Sequence, residues 1–370
     1  MKKTNRPAPY HIFGNDIEPA AMEQFLSAMD QPYVVRGALM PDAHKGYALP
    51  IGAVVAADGV VVPAWVGYDI GCGVLGVPTT FPLSEVRQNA AAIFRSLYEH
   101  IPVGSAHNQR PVPWNCSHLP RSAVLEEYFR RKGLYQLGTL GSGNHFLEIG
   151  YDELERIWIL VHSGSRHLGH TIATHYMKVA SKSSRAREGH YALDVRSAAG
   201  KAYIDDMHFC LSFALENRLE IARRAAEVLS RRINGSPQWV SLINRNHNHA
   251  ALYNGWWIHR KGATHAESGM AGIIPGNMRD GSFVVEGLGN PKALWSSSHG
   301  AGRLLGRAEA KRELSLHEFR QSMESVVARV QESTLDEAPM AYKNIHAVLE
   351  AQSELVVIRH HVQPLINIKG

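Results

Sequence analysis

The chain has 370 residues, 45% of them hydrophobic and 20% charged, which is enough apolar material for a substantial core. A formal charge of +5 and a pI near 9.0 admit a polyanionic ligand without demanding one. Three widely spaced cysteines, Cys72, Cys116 and Cys210, speak against a disulfide framework or a zinc ribbon. They suit a reducing cytoplasm. The start, Met1-Lys-Lys-Thr-Asn-Arg-Pro7, is basic but no apolar run follows it, and no stretch reaches the roughly 18 apolar residues of a membrane span, so the expectation is a soluble protein that is not exported. With 21 residues, His outnumbers both Phe (10) and Tyr (13), an excess that favours metal or proton-transfer chemistry.

In chain order, Ile17 to Met29 reads as an amphipathic helix, and Met40-Pro-Asp-Ala-His-Lys-Gly-Tyr-Ala-Leu-Pro50 as a polar loop in which Asp42 and His44 can support a site or touch substrate. Ile51 to Ala57 and Gly59 to Pro63 are β-branched runs around Asp58-Gly59, the pattern of a hairpin. It leads into Val66-Gly-Tyr-Asp-Ile-Gly-Cys-Gly-Val74. There the glycines permit tight turns, so that Asp69 and Cys72 can converge on one point. A thiolate beside a carboxylate suits Mn²⁺, Zn²⁺, Fe²⁺ or Co²⁺ better than Mg²⁺ or Ca²⁺; the alternative is a buried Cys next to a turn Asp.

Residues 83 to 100 predict a helix, and 102 to 120, with their Pro, Asn and Gly, an irregular loop whose His107 and Arg110 can cover a substrate. A helix is expected over Leu119 to Lys132. The glycine-rich turn Leu137-Gly-Thr-Leu-Gly-Ser-Gly-Asn-His-Phe-Leu-Glu-Ile149 follows, lacking the Gly-Lys-Ser/Thr of a P-loop and aiming Asn144 and His145 at a cleft. Ile157 to His162 reads as a buried strand ending in Ser-Gly-Ser-Arg166, with a helix after it to about Lys182. A long helix over 201 to 232 carries apolar residues at helical spacing. Beyond it, His247 and His249 alternate around Asn248, a spacing that places both on one side of a strand.

Strands are expected near Trp256 to Lys261 and Ser282 to Glu286. In Ser296-Ser-Ser-His-Gly-Ala-Gly-Arg303, small neighbours leave the His299 imidazole accessible as a nucleophile for a bulky phosphate. Arg303 and Arg307, four apart, share a face if helical and can hold anionic oxygens. A helix from 316 to 333 and an apolar, strand-like run to Lys369-Gly370 complete the chain. No repeat or linker divides residues 1–370, which predicts one large α+β domain, β-sheets flanked by helices around a central metal cleft.

Asp69, Cys72, His145, His162 and His247 all lie in or beside Gly- or Asn-rich turns. Five such ligands can serve two metal ions if Cys72 bridges, and paired metals stabilise the attacking and leaving oxygens of phosphoryl or nucleotidyl transfer.

Met40-Pro-Asp-Ala-His44, Val66-Gly-Tyr-Asp-Ile-Gly-Cys-Gly73, Leu137-Gly-Thr-Leu-Gly-Ser-Gly-Asn-His-Phe146, Val161-His-Ser-Gly-Ser-Arg166, Ser298-His-Gly-Ala-Gly-Arg303 and the terminal Lys369-Gly370 together resemble the RtcB family of RNA ligases. The likeness runs in order from about residue 40 to the end. It implies an enzyme that joins RNA 3′-phosphate or 2′,3′-cyclic phosphate ends to 5′-hydroxyl ends with GTP and two Mn²⁺ ions. By the same resemblance His299 becomes guanylylated, and Asp69, Cys72, His145, His162 and His247 hold the metal. Asn144, Phe146, Glu148, Ser282, His299, Ala301, Tyr342 and Lys369 line the guanylate pocket, Glu148 facing the guanine edge. Arg166, Arg303 and Arg307 hold phosphates of RNA or GTP. An archease-like activator is a further implied partner, and RNA repair or tRNA splicing the implied setting.

Two other classes share parts of this pattern: a metal-dependent RNA phosphoesterase would need no His299 adduct, and a non-catalytic RNA-binding protein would need no ligand cluster. The chain also departs from the family pattern. Asn277 stands where a small hydroxyl residue is usual, Arg279-Asp280-Gly281 replaces a Gly-containing turn, and the middle of the chain is compact, which favours repair of cleaved RNA over tRNA splicing.

Overall fold

The computed structural model describes residues 8–370, so the basic Met1–Pro7 stretch read above lies outside the described residues. Two sheets organise an α+β domain. The first has five strands in the order Tyr10–Ile12, Val34–His44, Ile51–Ala57, Trp256–Lys261 and Asn248–Tyr253. The second runs Ala271–Pro275, Ser282–Gly287, Val356–Lys369, Phe146–Tyr151, Ile157–Ser163, Gly73–Pro78 and Ile243–Asn246, with Val327–Ala328 pairing in parallel with the long C-terminal strand.

Central strands of this second sheet, Gly73–Pro78 and Ile157–Ser163, are buried at every position, and their near-continuous apolar runs reflect cover on both faces. On one face Leu75, Val77, Leu147, Ile149, Ile159 and Val161 pack against Val86, Ile93 and Leu97 of the helix Leu83–His100 and against Ile221, Ala225 and Leu229 of the helix Ala198–Ser230. The other face curls inward. There Ile243 and Ile273, from strands at opposite edges, share one cluster with Val74, Phe146, Leu160 and Val362. Arg245 Nε donates to the carbonyl of Ala271 at 3.2 Å, so the sheet nearly closes on itself. No helix among the described residues is long and apolar enough to cross a membrane.

Several local expectations change in the tertiary setting. Residues 40–44 are not loop but the end of the strand Val34–His44, buried at Met40, Pro41, Asp42 and Ala43, with an irregular register between Leu39 and His44. Val60–Val61 pairs with Leu193–Asp194 instead of forming a hairpin with Ile51–Ala57, both of whose edges are already filled. The helix expected over 119–132 starts at Ala123, capped by Ser122, and runs as α-helix to Tyr128, as π-helix over Phe129–Gly133 and as α-helix again over Leu134–Gln136. That expected over 316–333 is only Leu316–Ser322. Past it the chain folds back to bury Met323, Val326, Leu335 and Ala338 around Phe319, a gain that a continuing helix would forfeit.

Candidate metal centre and adjoining pocket

Among the described residues two groups of side chains could hold a metal ion, Cys72 with His162 and His247, and Asp69 with Cys72 and His145. In each, one ligand atom per residue lies within 4.8 Å of the others, and Cys72 belongs to both. The turn that presents Asp69 and Cys72 closes through a Cys72 N–H bond to the Asp69 carbonyl at 3.1 Å, while Gly71, at φ +77°, donates to the Asn248 carbonyl at 2.8 Å. A Cβ on Gly71 would lie 2.9 Å from that of Ala214, so a larger residue would push the turn off the long helix.

Hydrogen bonds on the far side of two imidazoles fix how they face this turn. His145 Nδ1 lies 3.0 Å from the Leu140 carbonyl, and His162 Nδ1 lies 3.0 Å from that of Asn144. Both carbonyls accept the ring proton, leaving each Nε2 lone pair free for a metal. His145 Nε2 is 2.9 Å from Asp69 Oδ2 and 3.4 Å from Cys72 Sγ. His162 Nε2 is 3.2 Å from that sulfur and 3.3 Å from His247 Nε2. Burial lowers the proton affinity of His162 and His247, which keeps them neutral, and it raises that of the Cys72 thiol, with the Asp69 charge adding to the rise. A divalent cation would reverse the last effect by favouring thiolate. One sulfur, three imidazoles and a carboxylate form a donor set suited to a borderline transition metal.

His247 marks the point where the chain leaves one sheet for the other, between Ile243–Asn246 and Asn248–Tyr253. This change of sheet separates it from His249, contrary to the same-side placement expected on an unbroken strand. His249 instead stacks on His265 at 4.8 Å, buried beside Arg260. Asn248 secures the crossing by donating to the Asp69 carbonyl at 3.1 Å and accepting from Gly262 N–H at 2.8 Å.

Two residues of the long helix, Asn217 and Arg218, hold the surrounding backbone. Both are fully buried. The Arg218 guanidinium donates to the carbonyls of Gly71 and Ser163 at 2.9 and 2.8 Å and to the side-chain oxygens of Asn244 and Asn246, each at 2.7 Å. Asn217 accepts from Gly138 N–H at 2.7 Å and donates to the Gly164 carbonyl at 3.2 Å. Sequence reasoning counted this helix only as core. A signal was there, because Asn217 and Arg218 fall on the inward stripe between Ala214 and Ile221.

A cavity of about 310 Å³ opens beside this candidate metal centre, and Asn144, Phe146, Glu148, Ser282, His299, Ala301, Tyr342 and Lys369 all line it. The His299 ring is 4.7 Å from that of His247, and its Nδ1 lies 2.7 Å from Asp42 Oδ2. That contact directs Nε2 away from the carboxylate. Glu148 is 1% exposed; Asn367 donates to it at 3.0 Å and Ser282 at 3.5 Å, yet burial dominates and pushes its carboxyl up to about 8. Glu337 behaves oppositely. Burial opposes its ionisation, but Lys369 at 2.7 Å, the Tyr342 hydroxyl at 2.6 Å and Arg303 at 3.1 Å outweigh it and hold the carboxyl at about 2. Neither Glu337 nor Asn367 was singled out in the sequence, since both act through partners remote in the chain.

The three arginines are placed differently. Arg303 lies ahead of the helix that begins at Arg307, in a bridge with Tyr342, and its guanidinium is engaged by Glu337 and the Asp336 carbonyl, so it does not share a helical face with Arg307. Arg307 starts the helix Arg307–Glu313 and is exposed. Its guanidinium packs over Gly143, where an added Cβ would come within 2.4 Å. Arg166, at φ +60°, leads the helix Arg166–Ser181 and lies 3.3 Å from Thr139 Oγ1. Arg166 and Arg307 both line a second, larger cavity of about 920 Å³ on the Asp69 and His145 side, reached by His107 but not by Arg110. Asn277 lines the first cavity, but its side chain closes the 276–281 turn, accepting from Arg279 and Asp280 N–H and donating to Asp280 Oδ2 at 2.7 Å.

Comparison with known proteins identifies the family. RNA-splicing ligase RtcB of Escherichia coli strain K12 is 32% identical over 407 aligned positions, covering 99% of this chain and 98% of that protein. RtcB2 of Escherichia coli strain ATCC 25922 is 31% identical, covering 100% and 98%, and tRNA-splicing ligase RtcB of Pyrobaculum aerophilum is 29% identical, covering 94% and 91%. A family model described as tRNA-splicing ligase RtcB matches residues 24–126 and 115–370, and this chain belongs to the RtcB family.

Proposed function

We propose that this protein is a GTP-dependent RNA ligase that joins a 3′-phosphate or 2′,3′-cyclic phosphate end to a 5′-hydroxyl end, acting in the cytoplasm in RNA repair or tRNA splicing. One observation carries the reading. His299, oriented through Nδ1 by Asp42, stands between the cluster of candidate ligands and a cavity bearing the buried carboxyl group of Glu148. The whole chain, 1–370, serves as one catalytic domain.

In this reading Glu148 accepts hydrogen bonds from the ring N–H and the exocyclic amine of guanine, a pair of donors that adenine lacks. Lys369 and Arg307 neutralise phosphate charge. His299 Nε2 attacks the α-phosphorus of GTP, forming a P–N bond and releasing pyrophosphate. An oxygen of the RNA 3′-phosphate then displaces His299, giving a 3′ end activated by GMP. The 5′-hydroxyl attacks that 3′-phosphate, the phosphodiester forms and GMP leaves. A cyclic phosphate is first opened by water. Metal held by the two Cys72-sharing triads supplies charge stabilisation at phosphate oxygens. Mn²⁺ is the ion we assign, with an archease-like protein as candidate activator.

Incubation with α-labelled GTP and Mn²⁺, in wild type and His299→Ala, tests the assignment. An acid-labile, base-stable adduct absent from the variant is the expected result. Absence of label with Mn²⁺, Zn²⁺ or Co²⁺ would overturn it.

A further inference from the structure

Next to Asp69 and His145 of the candidate metal centre, five aromatic rings form a continuous ladder. Tyr47 meets Tyr68 edge-on at 5.8 Å; Tyr68 stacks on His170 at 4.8 Å and 19°; His170 stacks on His167 at 5.2 Å and 7°; His167 meets Tyr128 at 5.8 Å. His167 and His170 are exposed, one helical turn apart on Arg166–Ser181, and the Tyr68 hydroxyl is fixed by donating to Glu188. Nothing in guanylate transfer uses them. Tyr68, Tyr128, His167 and His170 nevertheless line the 920 Å³ groove, together with Arg131, Lys132, Arg166 and Arg307.

Four cations face one carboxylate, Asp69, among the residues lining this groove, and Arg131 is also paired with Glu127 at 3.4 Å. Cations beside aromatic surface match a strand whose backbone is anionic and whose bases present π-faces. A duplex offers only the outer face of its terminal pair, because its other bases are stacked on one another, whereas successive unpaired bases can each turn a face to the wall. A protein partner is disfavoured, since the wall offers rings and guanidinium groups but no broad aliphatic patch. Partial desolvation, the neighbouring His170 and the cations Lys132 and Arg166 lower the proton affinity of His167, so its ring acts as a neutral stacking surface.

We infer that the Tyr68–His170–His167–Tyr128 wall is a base-stacking platform for unpaired nucleotides of the RNA, holding the strand end as it enters the Asp69 and His145 side of the metal centre. The inference rests on the ligase reading above. It adds that the preferred substrate has a single-stranded stretch next to the join.

The test uses the full-length, Mn²⁺-loaded protein and a fluorescent oligonucleotide with a 3′-phosphate, compared with the same oligonucleotide carrying abasic sites near that end. His167→Ala/His170→Ala is expected to weaken binding of the single strand about tenfold per lost stack. His167→Phe/His170→Phe restores it. Abasic sites weaken binding to wild type but add little in the alanine variant. Labelling of His299 by GTP is unchanged in all variants, as it needs no RNA. Equal affinity of wild type and alanine variant, or an abasic penalty of the same size in both, overturns the platform. If wild type itself fails to label with GTP, the ligase reading has failed instead.

Discussion

Glu148 offers a quantitative test of guanine recognition, because its carboxyl titrates near 8 in the free protein while the proposed contact needs a carboxylate. Ionising it at pH 7 costs one pKa unit, about 1.4 kcal/mol, against two charge-assisted hydrogen bonds worth roughly 1.5–3 kcal/mol each. The apparent dissociation constant of guanosine should then exceed its high-pH limit by about 100-fold at pH 6 and about 11-fold at pH 7, levelling off above pH 8. Isothermal calorimetry between pH 6 and 8.5 measures this directly, and at pH 7 in buffers of different ionisation enthalpy it should register release of about 0.9 proton per site. Inosine, which lacks the exocyclic amine, should bind about tenfold or more weaker. Glu148→Gln should bind weakly with no pH dependence. For the free protein the sign is reversed: a carboxyl raised above its unfolded value contributes stability below pH 4.5 that is lost as pH rises towards 8. That loss amounts to about 3 kcal/mol at pH 7, which Glu148→Gln should recover. Guanosine affinity independent of pH between 6 and 8 would refute the reasoning.

Other parts of the site make separate predictions. Cys72→Ala removes a ligand common to both triads and should abolish stoichiometric metal binding, whereas Asp69→Asn, confined to one triad, should leave partial occupancy by metal analysis; equal loss in both would argue against a shared thiolate. Arg218→Met strands four acceptors and should destabilise folding by about 3–5 kcal/mol in urea unfolding, a change under about 1 kcal/mol contradicting its bracing role. Glu337, depressed to about 2, contributes stability above pH 4.5 that disappears as pH falls towards 2. Glu337→Gln should therefore cost on the order of 3 kcal/mol at pH 7, with the gap to wild type narrowing below pH 4.5 in chemical unfolding series; a gap constant with pH would exclude an ionic role.

Much of the site was legible because its pieces are short and local. The Asp69–Cys72 turn depends on glycines within three residues, and the strand that carries His162 declares itself by a run of five apolar residues. Residues whose roles depend on distant partners were not. Glu337 looks like one more acidic residue until Lys369 and Arg303 arrive beside it. The 316–333 segment has helical spacing, but Val327–Ala328 gains a ladder position on the terminal strand and the following residues gain a buried cluster. Tertiary burial outweighs a propensity difference of a few tenths of a kcal/mol per residue.

By itself, the sequence determined the α+β class, most element types, the turns that carry the candidate ligands and the resemblance that names the family, since periodicity, turn chemistry and motif order are set by neighbouring residues. Only the tertiary structure decided that Asp69, Cys72, His145, His162 and His247 meet, that His247 and His249 part where the chain changes sheets, and that Arg303 is held by Glu337. The physical reason is that side chains up to 178 positions apart, as Asp69 and His247 are (247 − 69), converge only when two sheets and the buried Arg218 hold their backbones together, a balance of packing and hydrogen bonding that no local window contains.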